Sequence, residues 1–184
     1  MSDLERRFKD VCADWFNGWQ QWLGLTNSGV AILREVADCR IKLITRCQRV
    51  EVGFVDPDEL VDQVDQLSQR LATIMKDLHQ LRGKFDRYAE AMGSLQQLAL
   101  MSGDRSEMSL TYVADFSNFL SQFAQNIGQE MTVRQSVCED VFVAQSREFA
   151  MFCVTVWMHH PYLNEKFISD QAELYACRCG LKRP

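Results

Sequence analysis

The sequence predicts an all-α fold: an elongated antiparallel helical bundle, or coiled coil, of three long helices plus a short C-terminal helical segment, in one unit over residues 1–184. Three observations carry this. Apolar residues between 60 and 95 recur in alternating steps of 4 and 3. Two other long stretches carry apolar residues at helical spacing. Only 3 Pro and 9 Gly punctuate 184 residues, so little in the chain breaks a helix.

The first helix is expected over about 3–50. Its stripe is Trp15, Trp19, Trp22, Thr26, Val30, Leu33, Ala37, Ile41 and Ile44, one face of a 3.6-residue period. Gly24 and Gly29 fall in its middle, where a bend or break is expected. Val52 to Phe54 reads as a connector. The second helix, about 58–101, has a strong start signal. Asp56 can cap, Pro57 suits the first helical position, and Glu59 can complete a capping box. Its seam is Leu60, Val64, Leu67, Leu71, Ile74, Leu78, Leu81, Phe85, Tyr88, Met92 and Leu95. A heptad pattern held for about five repeats reads as a coiled coil. At 1.5 Å per residue it makes a rod of about 55–60 Å.

A turn at Ser102-Gly103 leads to a third helix, about 106–144, with the stripe Val113, Phe116, Leu120, Phe123, Ile127, Met131, Arg134, Val137 and Val141. The polar run Gln145-Ser146-Arg147-Glu148 is expected to interrupt it. A short apolar helix follows, about 149–160, stopped by Pro161. A weaker last helix spans about 165–177. Short connections favour antiparallel neighbours. Arg34, Arg40, Lys42, Arg46 and Arg49 end the first helix; Asp56, Asp58, Glu59, Asp62 and Asp65 start the second. A hairpin sets these clusters side by side; solvated faces are the equal alternative.

Charge and composition narrow the function. A net charge of −5 argues against direct nucleic-acid binding, which needs a concentrated basic surface. The N-terminal ten residues are charged and show no signal-peptide core. The longest apolar run, Phe149 to Met158, is too short for a membrane span. The 7 cysteines, scattered and odd in number, are expected to be reduced thiols in a cytosolic or nuclear protein.

No catalytic constellation emerges, so no enzyme, small-molecule substrate or cofactor is expected. Of the three histidines, His79 lies beside the seam, and His159 and His160 sit at a helix end where capping is the ordinary role. Cys177-x-Cys179 with His159 or His160 could hold a metal, but the spacing is not a zinc pair and unpaired thiols are the plainer reading, so no metal is expected. Gly83-Lys84 lacks the rest of a phosphate loop. Trp15, Trp19 and Trp22 share a face and can serve either a core or an interface.

Ala13-Asp14-Trp15 with Asn17, Trp22, Leu25 and Gly29, together with Trp157-Met158-His159, Pro161 and Tyr162, resembles the cyclin-dependent kinase 2-interacting protein family, with its Trp-Leu-His-x-Pro-Tyr signature near the C-terminus. A basic, Ser/Pro-rich leader is missing, and Gln145-Ser146-Arg147-Glu148 stands where that family has a Gly-Asp-Pro-type break. The resemblance implies a nuclear, also cytoplasmic, adaptor without enzymatic activity. It implies partners that include a second helical subunit, AAA+ ATPases and a cyclin-dependent kinase, in ribosome biogenesis, DNA replication and genome maintenance. It makes Asp14, Trp15, Asn17, Trp22, Trp157, His159, Pro161 and Tyr162 the partner-binding or structural signature. The chain is then one subunit of a hetero-oligomer; a self-associating scaffold or tether is the alternative.

Overall fold

The computed structural model describes residues 3–48, 57–101 and 107–179. The expected Asp56 cap, the 52–54 connector and the Ser102-Gly103 turn lie outside them. Five helices follow in order: α1 (Asp3–Gln48), α2 (Pro57–Met101), α3 (Glu107–Val143), α4 (Arg147–His159) and α5 (Glu165–Cys179). Among the described residues there is no strand. The protein is all-α, with three long helices and two short ones.

Pro57 opens α2, where its missing N–H costs no helical bond. Gly24 and Gly29 do not break α1, which is continuous through both. The cost of helical glycine, about 1 kcal/mol relative to Ala, is small beside the packing of a long buried stripe. The interruption before α4 falls at residues 144–146 rather than throughout 145–148. Ser146 is in extended conformation and its side chain accepts from the Phe149 backbone N–H at 3.1 Å, so α4 begins at Arg147 behind a serine cap.

The chain forms two compact units, and α1, α2 and α3 contribute to both. The first comprises Met1–Trp22, Gln80–Gln129 and Tyr162–Pro184. Its core is aromatic. Trp15 meets Phe116, Phe119 and Phe123 edge to face, with ring centroids 5.9, 5.1 and 5.5 Å apart. Trp19 adds Phe123, Trp22 adds Phe85, and Phe85 meets Phe123 at 4.9 Å. Edge-to-face contact sets the positive rim of one ring against the negative face of another. The partners also fix direction. Phe8 with Phe116 and Trp19 with Phe123 make α1 and α3 parallel. Phe85 with Phe123, and Arg82 beside Gly128, make α2 and α3 antiparallel. Phe116 with Tyr175 and Phe119 with Phe167 run α5 antiparallel to α3.

The second unit comprises Leu23–His79 and Glu130–Pro161. Leu33, Val36 and Ala37 of α1, Leu67, Leu71, Met75 and Leu78 of α2, and Val137 and Val141 of α3 are buried there. Arg70 of α2 meets Glu35 of α1 at 3.5 Å, both largely exposed. Among the described members of the opposed charge clusters, no ion pair joins the two helices. Arg40 instead donates to the Ala144 carbonyl at 2.8 Å, and Arg34 reaches the Met158 sulfur at 3.4 Å. A guanidinium next to the α3–α4 break finds an unpaired carbonyl, which is a better partner than a solvated carboxylate. The side chains of Arg46, Arg49, Asp56 and Asp58 lie outside the described set.

Along α2 the seam is buried at Leu60, Leu67, Leu71, Leu78, Leu81, Phe85, Met92 and Leu95. Val64, Ile74 and Tyr88 are half-buried, and Met75 is buried in place of Ile74. A straight helix repeats every 3.6 residues, so a 3.5-residue seam drifts off its face within a few turns. Leu78→Ala is expected to lower stability by about 2–5 kcal/mol. Val61→Ala, at a residue 52% exposed, should change it by less than about 0.5 kcal/mol. Urea unfolding followed by circular dichroism checks both; equal effects would show that the two positions are not differently buried.

Candidate functional site

The residue types that distinguish this chain converge where α4 meets α1 and α3 in the second unit. The α4 sequence places Ala150, Cys153, Val154 and Trp157 on one face, and all four are buried. Trp157 is fully buried, and its Nε1–H donates to the Thr26 carbonyl of α1 at 2.9 Å. A helical carbonyl has a second lone pair, so it can accept this bond without giving up its helical one. The Thr26 hydroxyl donates to the Leu23 carbonyl at 3.0 Å. One turn beyond Thr26, the indole packs closely against the helix at Gly29. A Cβ there would come within 2.4 Å of Trp157 Cζ2 and 2.8 Å of Cε2. Only glycine admits this approach.

Arg134 of α3 also packs over the indole, its Cζ 4.3 Å from the ring centroid. This is a cation–π contact in a desolvated setting. Arg134 and Glu130, one turn apart on α3, are both fully buried and pair at 2.9 Å. The Arg134 guanidinium also meets His160 Nδ1. His160 caps α4 in the left-handed region, φ 44 and ψ 67. A non-glycine residue costs about 1–2 kcal/mol there. Pro161 follows, and proline disfavours right-handed helical backbone in the residue before it.

The signature residues are distributed unevenly around this corner. Trp157 is at its centre and Gly29 beneath it. His159, Pro161 and Tyr162 are exposed; the buried histidine is His160, the unspecified position of the Trp-Leu-His-x-Pro-Tyr pattern. Trp15 and Trp22 lie in the aromatic core of the first unit, while Asp14 and Asn17 stand on exposed faces. His160 does stand at the helix end where capping is expected, whereas nothing local in the sequence marks Glu130 or the Thr26 carbonyl as part of the site. One signal could have found Arg134: a single arginine standing in the apolar stripe of α3.

Two surfaces remain open. Phe149, Met151, Phe152 and Met158 of α4 are 40%, 44%, 59% and 40% exposed, with Phe149 and Phe152 stacked at 6.3 Å. An apolar residue run on both faces of a helix is usual only where both faces are covered. In the first unit, an open groove of about 490 Å³ runs between α3 and α5. Amide side chains Asn118, Gln122 and Asn126 line one wall, and Phe167, Leu174 and Tyr175 the other. Burial, reinforced by Asp115, pushes the Tyr175 phenol up to about 12.

Cys179 is buried, whereas Cys177 is exposed. Among the described residues no three His, Cys, Asp or Glu side chains converge as a metal cluster. No described helix is long and apolar enough to cross a membrane.

The fold and surfaces define a class: an all-α helical bundle with an uncovered apolar helix face. Within it, the chain is similar to the cyclin-dependent kinase 2-interacting protein of Bos taurus, 22% identical over 178 residues that cover 89% of this chain and 84% of that protein. The proteins of the same name from Mus musculus and Homo sapiens are 18% and 17% identical over the same shares. The likeness is distant and spans nearly the whole chain. No protein-family model matches.

Gly29→Ala is expected to destabilise by about 1–3 kcal/mol through overpacking, although alanine is the better helix former. Gly24→Ala, where a Cβ meets nothing within 4 Å, should instead stabilise by about 0.5–1 kcal/mol. Opposite signs in a thermal melt check the seat of Trp157. Arg134→Ala leaves a buried Glu130 without its cation and should cost about 3–5 kcal/mol. A loss under about 1 kcal/mol in chemical unfolding would mean that the pair is not desolvated.

Proposed function

We propose that this chain is a non-catalytic adaptor subunit that holds protein partners together in a nuclear multiprotein complex. The similarity to cyclin-dependent kinase 2-interacting proteins along 89% of the chain carries the reading. The name of those relatives makes a cyclin-dependent kinase the first partner to test. The resemblance at Trp15, Trp22, Gly29 and Trp157 extends the proposal to AAA+ ATPases and a second helical subunit, acting in ribosome biogenesis, DNA replication and genome maintenance.

The surface offered to a partner is the open face of α4. Phe149 and Phe152 are aromatic anchors of the kind that dominate interfaces, and they cap a helix whose other face is pinned by Trp157. The partner side chains therefore meet a surface already ordered, which lowers the entropic cost of association. The self-associating scaffold uses the same face and differs only in its occupant.

Affinity purification of the tagged full-length chain with mass spectrometry, repeated with Phe149→Ser/Phe152→Ser, tests this. The wild type should carry a helical subunit, kinase or ATPase partners, and the double variant should lose them at least tenfold with unchanged helicity. Full retention of partners by the variant would refute the assignment to α4. A purified wild-type chain that forms a stable homodimer by light scattering and captures none of these partners supports the scaffold instead. Nucleotide turnover by the isolated chain would contradict a non-catalytic role.

A further inference from the structure

The α3–α5 groove carries a wall of amides where a helix face open to water ordinarily carries charge. Asn118, Gln122 and Asn126 line it from every fourth residue of α3, so they stand in one row, about 6 Å apart along the helix. Asn118 and Gln122 are exposed and Asn126 is half-buried. Gln122 Nε2 donates to Asn126 Oδ1 at 3.0 Å, which orders the two amides against each other. A side-chain amide has two N–H donors and an oxygen with two lone pairs. After that bond Asn126 retains both donors, and Gln122 retains one donor and its oxygen. Asn164 of the lining is otherwise used: its Oδ1 accepts from the Phe167 backbone N–H at 3.0 Å. Among the described lining residues only Asp115 and Arg178 are charged, with opposite signs. Arg178 is also drawn to the Tyr112 ring, 4.1 Å from its centroid. The groove is thus electrically neutral on a chain of net charge −5.

We propose that this groove binds an extended, uncharged segment of a partner protein and holds it by its backbone. In an extended strand, alternate residues present their N–H and C=O to the same edge, about 6.4–6.8 Å apart. The amide row, at about 6 Å per step, keeps pace with that repeat over its length of about 12 Å, or about four extended residues. Each amide both gives and takes a hydrogen bond, as such a backbone edge requires. A row of carboxylates only accepts and a row of ammonium groups only donates, so neither would serve. An α-helix is a poorer occupant, because its backbone N–H and C=O groups bond one another and leave the row nothing to pair with.

The remaining lining sets the side chains of the segment. Strand side chains alternate between two faces, so every second one enters the groove and the others face solvent. Phe119 is half-buried there, and Phe167 and Leu174 are 51% and 39% exposed. Apolar side chains entering the groove take these surfaces out of water. A charged side chain would lose its hydration beside the amide row with no countercharge in that row. The segment is therefore one with uncharged, apolar residues at every second position. The groove belongs to the first unit and α4 to the second, so peptide binding here stands or falls apart from the surface proposed on α4.

Random dodecapeptides displayed on phage are selected on the purified full-length chain, and the enriched sequences are made synthetically. They should be uncharged, with apolar residues at alternate positions. Asn118→Ala/Gln122→Ala, with helicity unchanged by circular dichroism, should bind them about tenfold more weakly or worse. Methylating the peptide's backbone nitrogens at alternate positions should cost a similar factor in one register and little in the other. On titration into the wild type, the side-chain NH2 signals of Asn118, Gln122 and Asn126 should shift in nitrogen–proton correlation spectra. The proposal is overturned if nothing enriches, or if the enriched peptides space their apolar residues at helical intervals. It is also overturned if methylation in both registers is harmless, or if those amide signals do not move. Phe149→Ser/Phe152→Ser should bind the same peptides as the wild type; loss of binding there would place them on α4 and overturn the groove. The wild-type titration decides alone should a variant fail to fold.

Discussion

The contact between Trp157 and the α1 backbone at Gly29 governs the second unit. It is a constraint of volume before it is a source of energy. The indole can approach the helix this closely only where the helix has no Cβ, and α1 supplies that gap one turn past the carbonyl that accepts the indole N–H. Shape and hydrogen bond therefore agree on a single placement of α4. The register of α4 along α1 follows. Met158 comes to Arg34, and the break before α4 comes to Arg40. Each contact is minor alone, but all are consequences of where the indole sits.

Several features that would count against a stable fold become consistent around that contact. A glycine inside a helix, an arginine and a glutamate fully buried, and a left-handed histidine each cost free energy separately. Together they pack around the Trp157 indole. Arg134 covers the indole, Glu130 balances Arg134, and His160 meets the guanidinium from the end of α4. A buried ion pair of this kind adds little net stability over an apolar equivalent. Its physical effect here is geometric: the guanidinium has one plane, and that plane orients both the ring it covers and the helix end it meets. The first unit works otherwise. Its interlocked Trp and Phe rings draw on apolar burial and edge-to-face contact, which tolerate small shifts of one helix along another more readily than a hydrogen bond does.

The helices were largely legible in the sequence because their information is local. The heptad steps from Leu60 to Leu95, Pro57 at a helix start and Pro161 after a helix end each act within a few residues. The site was legible only in part. Trp157 and Gly29 belong to separate motifs, and nothing local says that they touch. Gly29 read as a helix breaker because its use is set by a ring from another helix. Arg134 interrupted an apolar stripe, yet the reason lay in Glu130, one turn back, and in His160, far along the chain. His159 drew attention by its place in a pattern, while the left-handed turn at His160 points the neighbouring ring inward instead.

The same logic bears on the open face of α4. A helix that is apolar all round and pinned on one side cannot rotate to hide the other. Were α4 held only by a greasy interface, it could turn and bury Phe149 and Phe152 at the expense of Ala150 and Val154. The hydrogen bond to Thr26 and the close approach at Gly29 oppose that rotation, since a turn about the helix axis would draw the indole away from both. The exposed rings are thus held out by the same contact that holds Trp157 in. A fold that spends a buried ion pair and a strained helix end on fixing one helix, and leaves that helix half uncovered, has the arrangement an interaction surface requires: rigid, apolar and unable to close on itself.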